Sequence, residues 1–282
     1  MRLFAYRLAP RHDDGFVSSA GRWFGEPFPS GIDLAGTTFA ILDPGGRIVV
    51  EGEAVDPAAV RPGPAISRPG KVICVGLNYR DHVTEGAGRA VPERPLLFGK
   101  FASAIVGDGE AVVRPEGCRA LDLEVELGVV IGKRARRVTE ADAMAHVAGY
   151  VVVNDISARD WQGSPPALRE GEQGDGQWLR AKASDTFLPM GPVFVTADEV
   201  DPAAGLTLRG WRIPGSGPGA GTPQLMQEGS TRDLIRSVPE LVAFISRQIT
   251  LEPGDVVATG TPAGVGVFRT PPVFLEPGDR VR

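Results

Sequence analysis

Three acidic residues occur at alternate positions within residues 121–133, which read LDLEVELGVVIGK. In a strand, side chains two residues apart share a face, so Asp122, Glu124 and Glu126 are predicted to line one face together. Carboxylates packed side by side repel one another unless water or a cation lies beside them. This stretch alone leaves two interpretations, a solvated strand face or a site for a divalent metal ion.

A further carboxylate, Asp155, follows the apolar run GYVVVN, where we expect another strand to end. Glu124, Glu126 and Asp155 are hard oxygen donors, and without a paired His or Cys they suit Mg²⁺, Mn²⁺ or Ca²⁺ rather than Zn²⁺. A cation would also offset three neighbouring negative charges. Taken alone, Asp155 is also consistent with a simple strand-end cap.

The segment GLNYRDHVTEGAG, residues 76–88, contains a second candidate pair, His82 and Glu85. Residues three apart are neighbours on a helical turn. A carboxylate beside an imidazole fixes its tautomer and raises its basicity, which makes a general base for water. Gly86 and Gly88 would let the segment open and close as a lid. The alternative is a solvated loop histidine.

Four more residues are candidates for contacting a substrate. Arg159 and Gln162 would share a face of a helix, and Arg159 suits a substrate carboxylate unless it pairs with a surface acid such as Asp160. Lys182, in LRAKASDTF, could reach a developing oxyanion. Thr261 lies in ATGTPAGVG, where its hydroxyl and the backbone N–H groups could bind a carboxylate.

The elements that must position these residues are mostly short strands, which predicts a β-dominated α+β fold. Strand patterns include KVICVG, PLLFGK, EVELGVVIG, GYVVVNDIS, GPVFVTA, LTLRGWRI and GDVVATG. Two helices are predicted, over 139–149 with Thr139 as N-cap and Gly149 as the stop, and over 237–248 with a capping box.

Residues 1–65 are interpreted as a small β-rich N-terminal domain and 66–282 as the larger, catalytic one. The Pro- and Gly-rich stretch 56–70 is predicted to be a linker between them. Residues 214–224, PGSGPGAGTPQ, are predicted to form a solvated hairpin tip.

Length and composition are those of a globular protein: 282 residues, 42% hydrophobic, 23% charged and a net charge of -5. Nothing in this balance indicates binding to nucleic acid or to a membrane surface. Cys74 and Cys118 lack metal-ligand spacing and are expected to be inert thiols. With no signal-peptide pattern and no apolar span, the chain is expected to be soluble and cytoplasmic.

Six motifs in consistent order, from residue 71 to the end, resemble the fumarylacetoacetate hydrolase family. They are NYRDHVTE, DLEVELGVVIGK, VVNDISARDWQ, AKASDTFLPMGP, LEPGDVVATGTPAGVG and PPVFLEPGD. The pattern is most similar to bacterial diketo-deoxy sugar acid hydrolases and acylpyruvases. The resemblance implies a mixed β-sandwich roll, usually paired into a homodimer. Members of the family typically continue with a further strand and turn at the position of PGDRVR, where this sequence ends.

The resemblance also implies roles for the residues singled out above. Mg²⁺ or Mn²⁺ would be bound by Glu124, Glu126 and Asp155, which favours the metal interpretation of the acidic face and leaves Asp122 outside the ligand set. The water-activating pair would be His82 and Glu85, and the enolate-stabilising lysine would be Lys182. Substrate contacts would come from Arg159, Gln162 and Thr261.

The function expected from these roles is hydrolysis of a C–C bond in a small 1,3-diketo acid, through a metal-bound enolate. The substrate would be an acylpyruvate or a 2,4-diketo-3-deoxy sugar acid. A lyase or isomerase on the same site stays open, acting as a 2-oxo acid decarboxylase, a sugar-acid dehydratase or a keto–enol isomerase. A non-catalytic metal- or ligand-binding protein is the third alternative.

Overall fold

Short strands and few helices make up residues 2–8, 38–42, 48–50, 53–54, 60–86 and 90–282, the ranges that this computed structural model describes. The predicted β-dominated α+β class is confirmed. In chain order the strands are β1 (Arg2–Leu8), β2 (Thr38–Leu42), β3 (Ile48–Val50), β4 (Glu53–Ala54), β5 (Val60–Pro62), β6 (Val72–Gly76), β7 (Leu96–Lys100), β8 (Ile105–Val106), β9 (Leu121–Asp122), β10 (Val125–Ile131), β11 (Val147–Asn154), β12 (Ser157–Ala158), β13 (Leu188–Pro189), β14 (Val193–Thr196), β15 (Thr207–Ile213), β16 (Gln224–Ser230), β17 (Val256–Ala258) and β18 (Arg280–Val281).

The helices are short and lie between these strands. The α-helices are α1 (Arg80–Glu85), α2 (Glu140–Ala143), α3 (Arg159–Gln162), α4 (Trp178–Lys182) and α5 (Val238–Ser246). The 3₁₀ turns are Ala102–Ala104, Met144–His146, Pro165–Ala167, Pro202–Ala204, Thr231–Asp233 and Gly266–Phe268. None of the helices in the described ranges has the length and apolar character needed to cross a bilayer.

The largest sheet is mixed and runs in the order β4-β3-β2-β1-β14-β11-β10-β17-β6-β7, with β5 also paired to β1. In it β17 and β6 are parallel, while β10 pairs antiparallel with both β11 and β17. Because β1 pairs with β14, a strand from the predicted N-terminal domain joins the sheet of the larger unit. The domain boundary at residue 65 stays a prediction.

The central strand β10 is buried along its whole length because both faces of the sheet are covered. Val129 belongs to a cluster with Leu241 of α5, whereas Val130 belongs to a second cluster with Met190 on the opposite face. Side chains alternate between faces, so Glu126 shares the face of Val130. Glu126 is 2% exposed, which excludes the interpretation that the acidic residues form a solvated strand face.

The acidic segment 121–133 is not the single continuous strand that its alternation predicts. Strand β9 pairs with β12 and ends at Asp122, and β10 begins three residues later, at Val125. Between them the Glu124 N–H donates to Asn154 Oδ1 at 2.9 Å, and the Glu124 carbonyl accepts from the Asp155 N–H at 2.9 Å. These local bonds replace the regular ladder and place Glu124 at the strand entrance.

The helix predicted over 139–149 is shorter than expected. Thr139 caps it as predicted, but α2 gives way to a 3₁₀ turn and then to β11. Gly149 therefore lies inside a strand and does not stop the helix. A Cβ there would come within 2.1 Å of the Val195 carbonyl oxygen, so close strand packing is what requires glycine.

Three further predictions have clear outcomes. The helix predicted over 237–248 is confirmed as α5, with the Ser237–Glu240 capping box in place. Residues 215–223 are exposed between β15 and β16, which confirms the hairpin tip. The predicted linker 56–70 is partly wrong, because β5 pairs with β1, and an edge position tolerates Pro62. Residues 56–59 lie outside the described ranges.

Candidate metal centre and active site

The three predicted carboxylates meet at one end of the β10–β11 pair. These strands run antiparallel with Val125 opposite Asn154, which brings Glu124 and Glu126 beside Asp155. One carboxylate oxygen from each lies within 4.8 Å of the others, and all three side chains are buried. The structure therefore assembles, from two strand ends, the group that the sequence singled out.

Positive side chains neutralise two of these carboxylates. Glu124 accepts from Arg159 Nη2 at 2.5 Å and from Lys182 Nζ at 2.7 Å. Asp155 lies 2.8 Å from Lys182 Nζ and 2.7 Å from Lys100 Nζ. Burial alone would raise the pKa of Glu124, but the charges of Arg159 and Lys182 hold it below its ordinary value.

Glu126 has no such partner. It accepts a hydrogen bond from the Gly260 N–H at 2.8 Å, and no Lys or Arg of the described residues forms an ion pair with it. Burial raises the pKa of Glu126 well above its usual range, and the charges of Asp155 and Glu124 raise it further. Among the described residues, this buried carboxylate is thus left without an ion-pair partner.

This arrangement fits a hard divalent cation. The donor set is three carboxylates, the ligand type that Mg²⁺, Mn²⁺ and Ca²⁺ prefer. A cation held by Glu124, Glu126 and Asp155 would supply the positive charge that Glu126 lacks. Metal binding at this position is therefore supported by three observations: the carboxylates converge, they are buried, and the positive side chains pair with only two of them.

The second candidate pair lies on α1. His82 Nδ1 is 2.6 Å from Glu85 Oε1, as the three-residue spacing predicts, and His82 is only 6% exposed, so it is not a solvated loop histidine. The other Glu85 oxygen accepts from the Gly264 N–H at 2.8 Å, which ties α1 to the loop after β17. Gly88 lies outside the described residues, so the predicted lid motion stays a prediction.

One cleft of about 350 Å³, open to solvent, brings the carboxylates and the histidine together. Phe98 and Trp178 form an aromatic wall with ring centroids 5.4 Å apart, and Lys182 Nζ lies 5.1 Å from the Phe98 ring centre. The candidate site residues that line the cleft are His82, Glu124, Glu126, Asp155, Arg159, Gln162, Lys182 and Thr261.

Arg159 donates three hydrogen bonds to protein groups. Its Nε donates to Asp122 at 2.9 Å and its Nη1 to Gln162 at 3.0 Å, in addition to the bond with Glu124. The residue is 3% exposed, so the alternative of a surface ion pair with Asp160 is wrong. Arg159 therefore orients a carboxylate of the cluster, and a substrate would meet it only at its remaining N–H positions.

Asp122 anchors this network from outside the carboxylate cluster. It accepts from the N–H groups of Gly266 and Val267 at 2.8 and 3.0 Å, as well as from Arg159. It is not part of the group whose oxygens converge. This agrees with the prediction that it lies outside the ligand set.

The Thr261 hydroxyl is also occupied. It donates to the Val125 carbonyl at 2.9 Å and accepts from Gln227 Nε2 at 2.7 Å. Its backbone N–H, by contrast, has no acceptor among the described residues. The hydroxyl proton is therefore already donated to a protein group. Gln227 gave no signal in the sequence, since a strand glutamine is ordinarily exposed.

Lys100 is the functional candidate that the sequence interpretation missed. Its Nζ contacts the carbonyls of Ile156 at 3.1 Å and Phe187 at 2.8 Å, that of Lys182, and the Asp155 carboxylate. The available signal was the lysine at the end of the apolar strand pattern PLLFGK. A lysine in an apolar strand predicts a partner for its charge, because lysine is almost never fully buried without one. Lys100 holds Asp155 and the end of α4 in one place.

Replacing Lys100 by methionine is expected to destabilise the protein by about 3 kcal/mol or more, because a buried carboxylate and buried carbonyls lose their partner. Urea denaturation of the parent and the variant measures this. The matched control is Arg134→Met, whose pair with Glu252 is exposed and should leave stability nearly unchanged. Equal stability of Lys100→Met and the parent would contradict the anchoring role.

Fold and site together define a β-rich enzyme class with a buried carboxylate centre beside a His–Glu pair. The family model for the C-terminal domain of fumarylacetoacetate (FAA) hydrolase matches residues 71–282. The chain belongs to the fumarylacetoacetate hydrolase family.

Several relatives extend this result. The mitochondrial oxaloacetate tautomerase FAHD2B of Bos taurus is 46% identical over 217 residues, which are 77% of this chain and 63% of that protein. The 5-carboxymethyl-2-hydroxymuconate delta-isomerase of Mycobacterium smegmatis is 32% identical with a TM-score of 0.70, covering 100% of this chain and 92% of that one. The fumarylacetoacetate hydrolase of Exiguobacterium antarcticum is 38% identical with a TM-score of 0.65, covering 83% and 77%.

Proposed function

We propose that the protein is a divalent-cation-dependent enzyme that catalyses keto–enol tautomerisation of a 2-oxo acid, with Mg²⁺ or Mn²⁺ as the cation. The observation that carries this proposal is the 2.6 Å contact between His82 Nδ1 and Glu85 Oε1, on the same cleft as the three carboxylates. A base that moves one proton next to a stabilised oxyanion is what tautomerisation needs.

Each step is assigned to a residue of the chain. Glu85 accepts from the Nδ1–H of His82, which leaves Nε2 as the basic atom that removes and returns the substrate proton. The Gly264 N–H keeps Glu85 in place. Lys182 offers its ammonium group to the enolate oxygen. When bound, the cation supplies Lewis-acid polarisation of the 2-oxo group.

The similarity to a tautomerase and to an isomerase favours proton transfer within a substrate. Hydrolysis of a C–C bond in an acylpyruvate or a 2,4-diketo-3-deoxy sugar acid is the second candidate. It is favoured by the relative from Exiguobacterium antarcticum and by the same His–Glu pair, which could instead deprotonate water. Both reactions use an enolate, so the arrangement of the site alone does not separate them.

Two assays on one preparation test the proposal. Decay of the enol absorbance of oxaloacetate measures tautomerisation, and pyruvate release from an acylpyruvate measures hydrolysis. Each is run with Mg²⁺, with Mn²⁺ and with a chelator. Metal-dependent acceleration of enol decay without pyruvate release supports the tautomerase. Metal-dependent pyruvate release with no effect on enol decay would replace it by the hydrolase.

Replacing Lys182 by methionine is expected to lower kcat by about 100-fold or more, the usual loss when an oxyanion donor is removed. Mg²⁺ should still bind, because Lys182 is a neighbour of Glu124 and Asp155 and not a ligand. Oxaloacetate kinetics and calorimetric titration measure the two effects, with the exposed Lys133→Met as control. A kcat within about twofold of the parent would make Lys182 structural.

Two expectations stay predictions, the homodimer and the cytoplasmic location. Analytical ultracentrifugation and localisation of a tagged chain would test them.

A further inference from the structure

The pair of His82 and Glu85 contacts a second part of the chain, the anchor segment (residues 264–269), which follows β17. The Gly264 N–H donates to Glu85 Oε2 at 2.8 Å. The ring of Phe268 lies beside the imidazole of His82, with the ring centroids 6.1 Å apart and the ring planes inclined by 52°. Tilted aromatic pairs at this separation attract each other. Each member of the His–Glu pair therefore has its own contact with the anchor segment.

Helix α1 gives the imidazole little support of its own. The helix has only six residues, and the side chain of its N-cap residue, Tyr79, makes no capping hydrogen bond. So short a helix is marginal without packing against the rest of the protein. Within α1, the His82 N–H donates to Asp81 Oδ1 at 2.7 Å and His82 Nδ1 contacts Glu85. Neither contact restrains the face of the ring, which the contact with Phe268 does.

The backbone of the anchor segment is fixed by two close approaches. A Cβ on Gly264 would lie 2.1 Å from the Met226 carbonyl oxygen, and Gly264 has φ 105°, a conformation that glycine adopts readily. A Cβ on Gly266 would lie 1.9 Å from the Val273 carbonyl oxygen. Only glycine fits at either position, so the anchor segment packs directly against the backbone of two other segments.

Two charged side chains hold the anchor segment as well. Arg269 donates from Nη2 to the Met226 carbonyl at 2.6 Å and from Nε to the Gly264 carbonyl at 3.3 Å. Asp122, which pairs with Arg159 beside the carboxylate centre, accepts two N–H hydrogen bonds from the anchor segment. The anchor segment thus joins the surroundings of the carboxylate centre to the His–Glu pair.

We propose that Phe268 is a positioning residue, which holds the imidazole of His82 in the orientation that directs Nε2 into the cleft. The inference rests on the proposed function for the role of His82 as the base. Phe268 is not among the described residues that line the cleft, whereas His82 is. Phe268 therefore acts on the rate through His82 and makes no contact with the substrate. A small misplacement of a catalytic group is enough to slow a reaction strongly.

The test begins with the kinetics of Phe268→Ala, followed by oxaloacetate enol decay with Mg²⁺. We expect kcat to fall by about 10-fold or more and KM to change by less than about twofold, because the base loses its orientation and the cleft keeps its lining. Phe268→Tyr keeps the ring and should retain most of the parent's kcat. The control is Phe101→Ala, which removes a phenylalanine that is 57% exposed and should leave kcat unchanged.

A double-mutant cycle separates positioning from a general effect on the fold. In the His82→Ala background, Phe268→Ala should change the residual metal-dependent rate by less than about twofold, because no imidazole is left to orient. If Phe268→Ala does not fold, Phe268→Leu replaces it in both backgrounds, since leucine keeps apolar volume and lacks the ring.

An equal loss in both backgrounds, or an unchanged kcat in the parent background, would overturn the positioning role of Phe268. Failure of the parent to accelerate enol decay with Mg²⁺ would instead overturn the proposed tautomerase. The same cycle would then be measured by pyruvate release from an acylpyruvate, because His82 is the base in either reaction. The two failures are therefore distinguishable.

Discussion

Replacing Glu126 by glutamine is expected to abolish binding of Mg²⁺ and Mn²⁺ and, with it, turnover. Glutamine keeps the size of the side chain and can still accept from the Gly260 N–H, but it is a poor cation ligand and removes one negative charge. Because burial and the charges of Asp155 and Glu124 raise the pKa of Glu126, the metal-free variant should be at least as stable as the parent.

Calorimetric titration of Mg²⁺ and thermal unfolding without metal measure the two effects separately. The matched control is Glu228→Gln, whose ion pair with Arg209 is exposed and joins β15 to β16, in a sheet separate from that of β10. The expected pattern is lost affinity with unchanged or raised Tm. Unchanged affinity in the Glu126 variant would refute the metal assignment, and a large loss of stability would show that the carboxylate is needed for folding.

Replacing His82 by alanine is expected to slow tautomerisation by about 100- to 10,000-fold, the usual contribution of a general base. The reason is the geometry of the pair: Glu85 occupies Nδ1, so the ring presents its other nitrogen to the cleft. Metal affinity should change little, because His82 is not in the group of converging carboxylates. Oxaloacetate enol decay at saturating Mg²⁺ measures the loss.

The companion variant His146→Ala removes an exposed-side contact, that of His146 Nδ1 with the Lys133 carbonyl, and should leave the rate unchanged. The rate of Glu85→Gln should lie between the rates of His82→Ala and His146→Ala. Glutamine can still accept a hydrogen bond from the His82 Nδ1–H, but it does not raise the basicity of the imidazole. If the His82 variant slows metal-catalysed decarboxylation of oxaloacetate as much as tautomerisation, His82 acts by closing the site and not as a base.

Most of the candidate site residues could be predicted from local patterns in the sequence. The alternating acids at Glu124 and Glu126, the carboxylate after an apolar run and the three-residue spacing of His82 and Glu85 each predict a local geometry. The three carboxylates and His82 line the cleft, and Glu85 contacts His82 Nδ1. The capping box at Ser237 could also be predicted from the sequence, because capping involves residues only three apart.

Glycine signals were less reliable. Gly149 ends a helical pattern in the sequence, yet in the structure it relieves a collision with a neighbouring strand. Which of these two uses applies depends on what packs against the residue, and pairing between β11 and β14 brings that neighbour from more than forty positions away.

By itself the sequence determined the family, the β-dominated class and the residue types of the candidate metal centre. Only the tertiary structure decided which positively charged side chain pairs with which buried carboxylate. Lys100, at the end of β7, and Asp155, directly after β11, are distant in the chain, and Arg159 pairs with Asp122 and Glu124 and not with Asp160. Local propensities act over a few residues, whereas neutralising a buried charge depends on which chain segments the sheet order brings into contact.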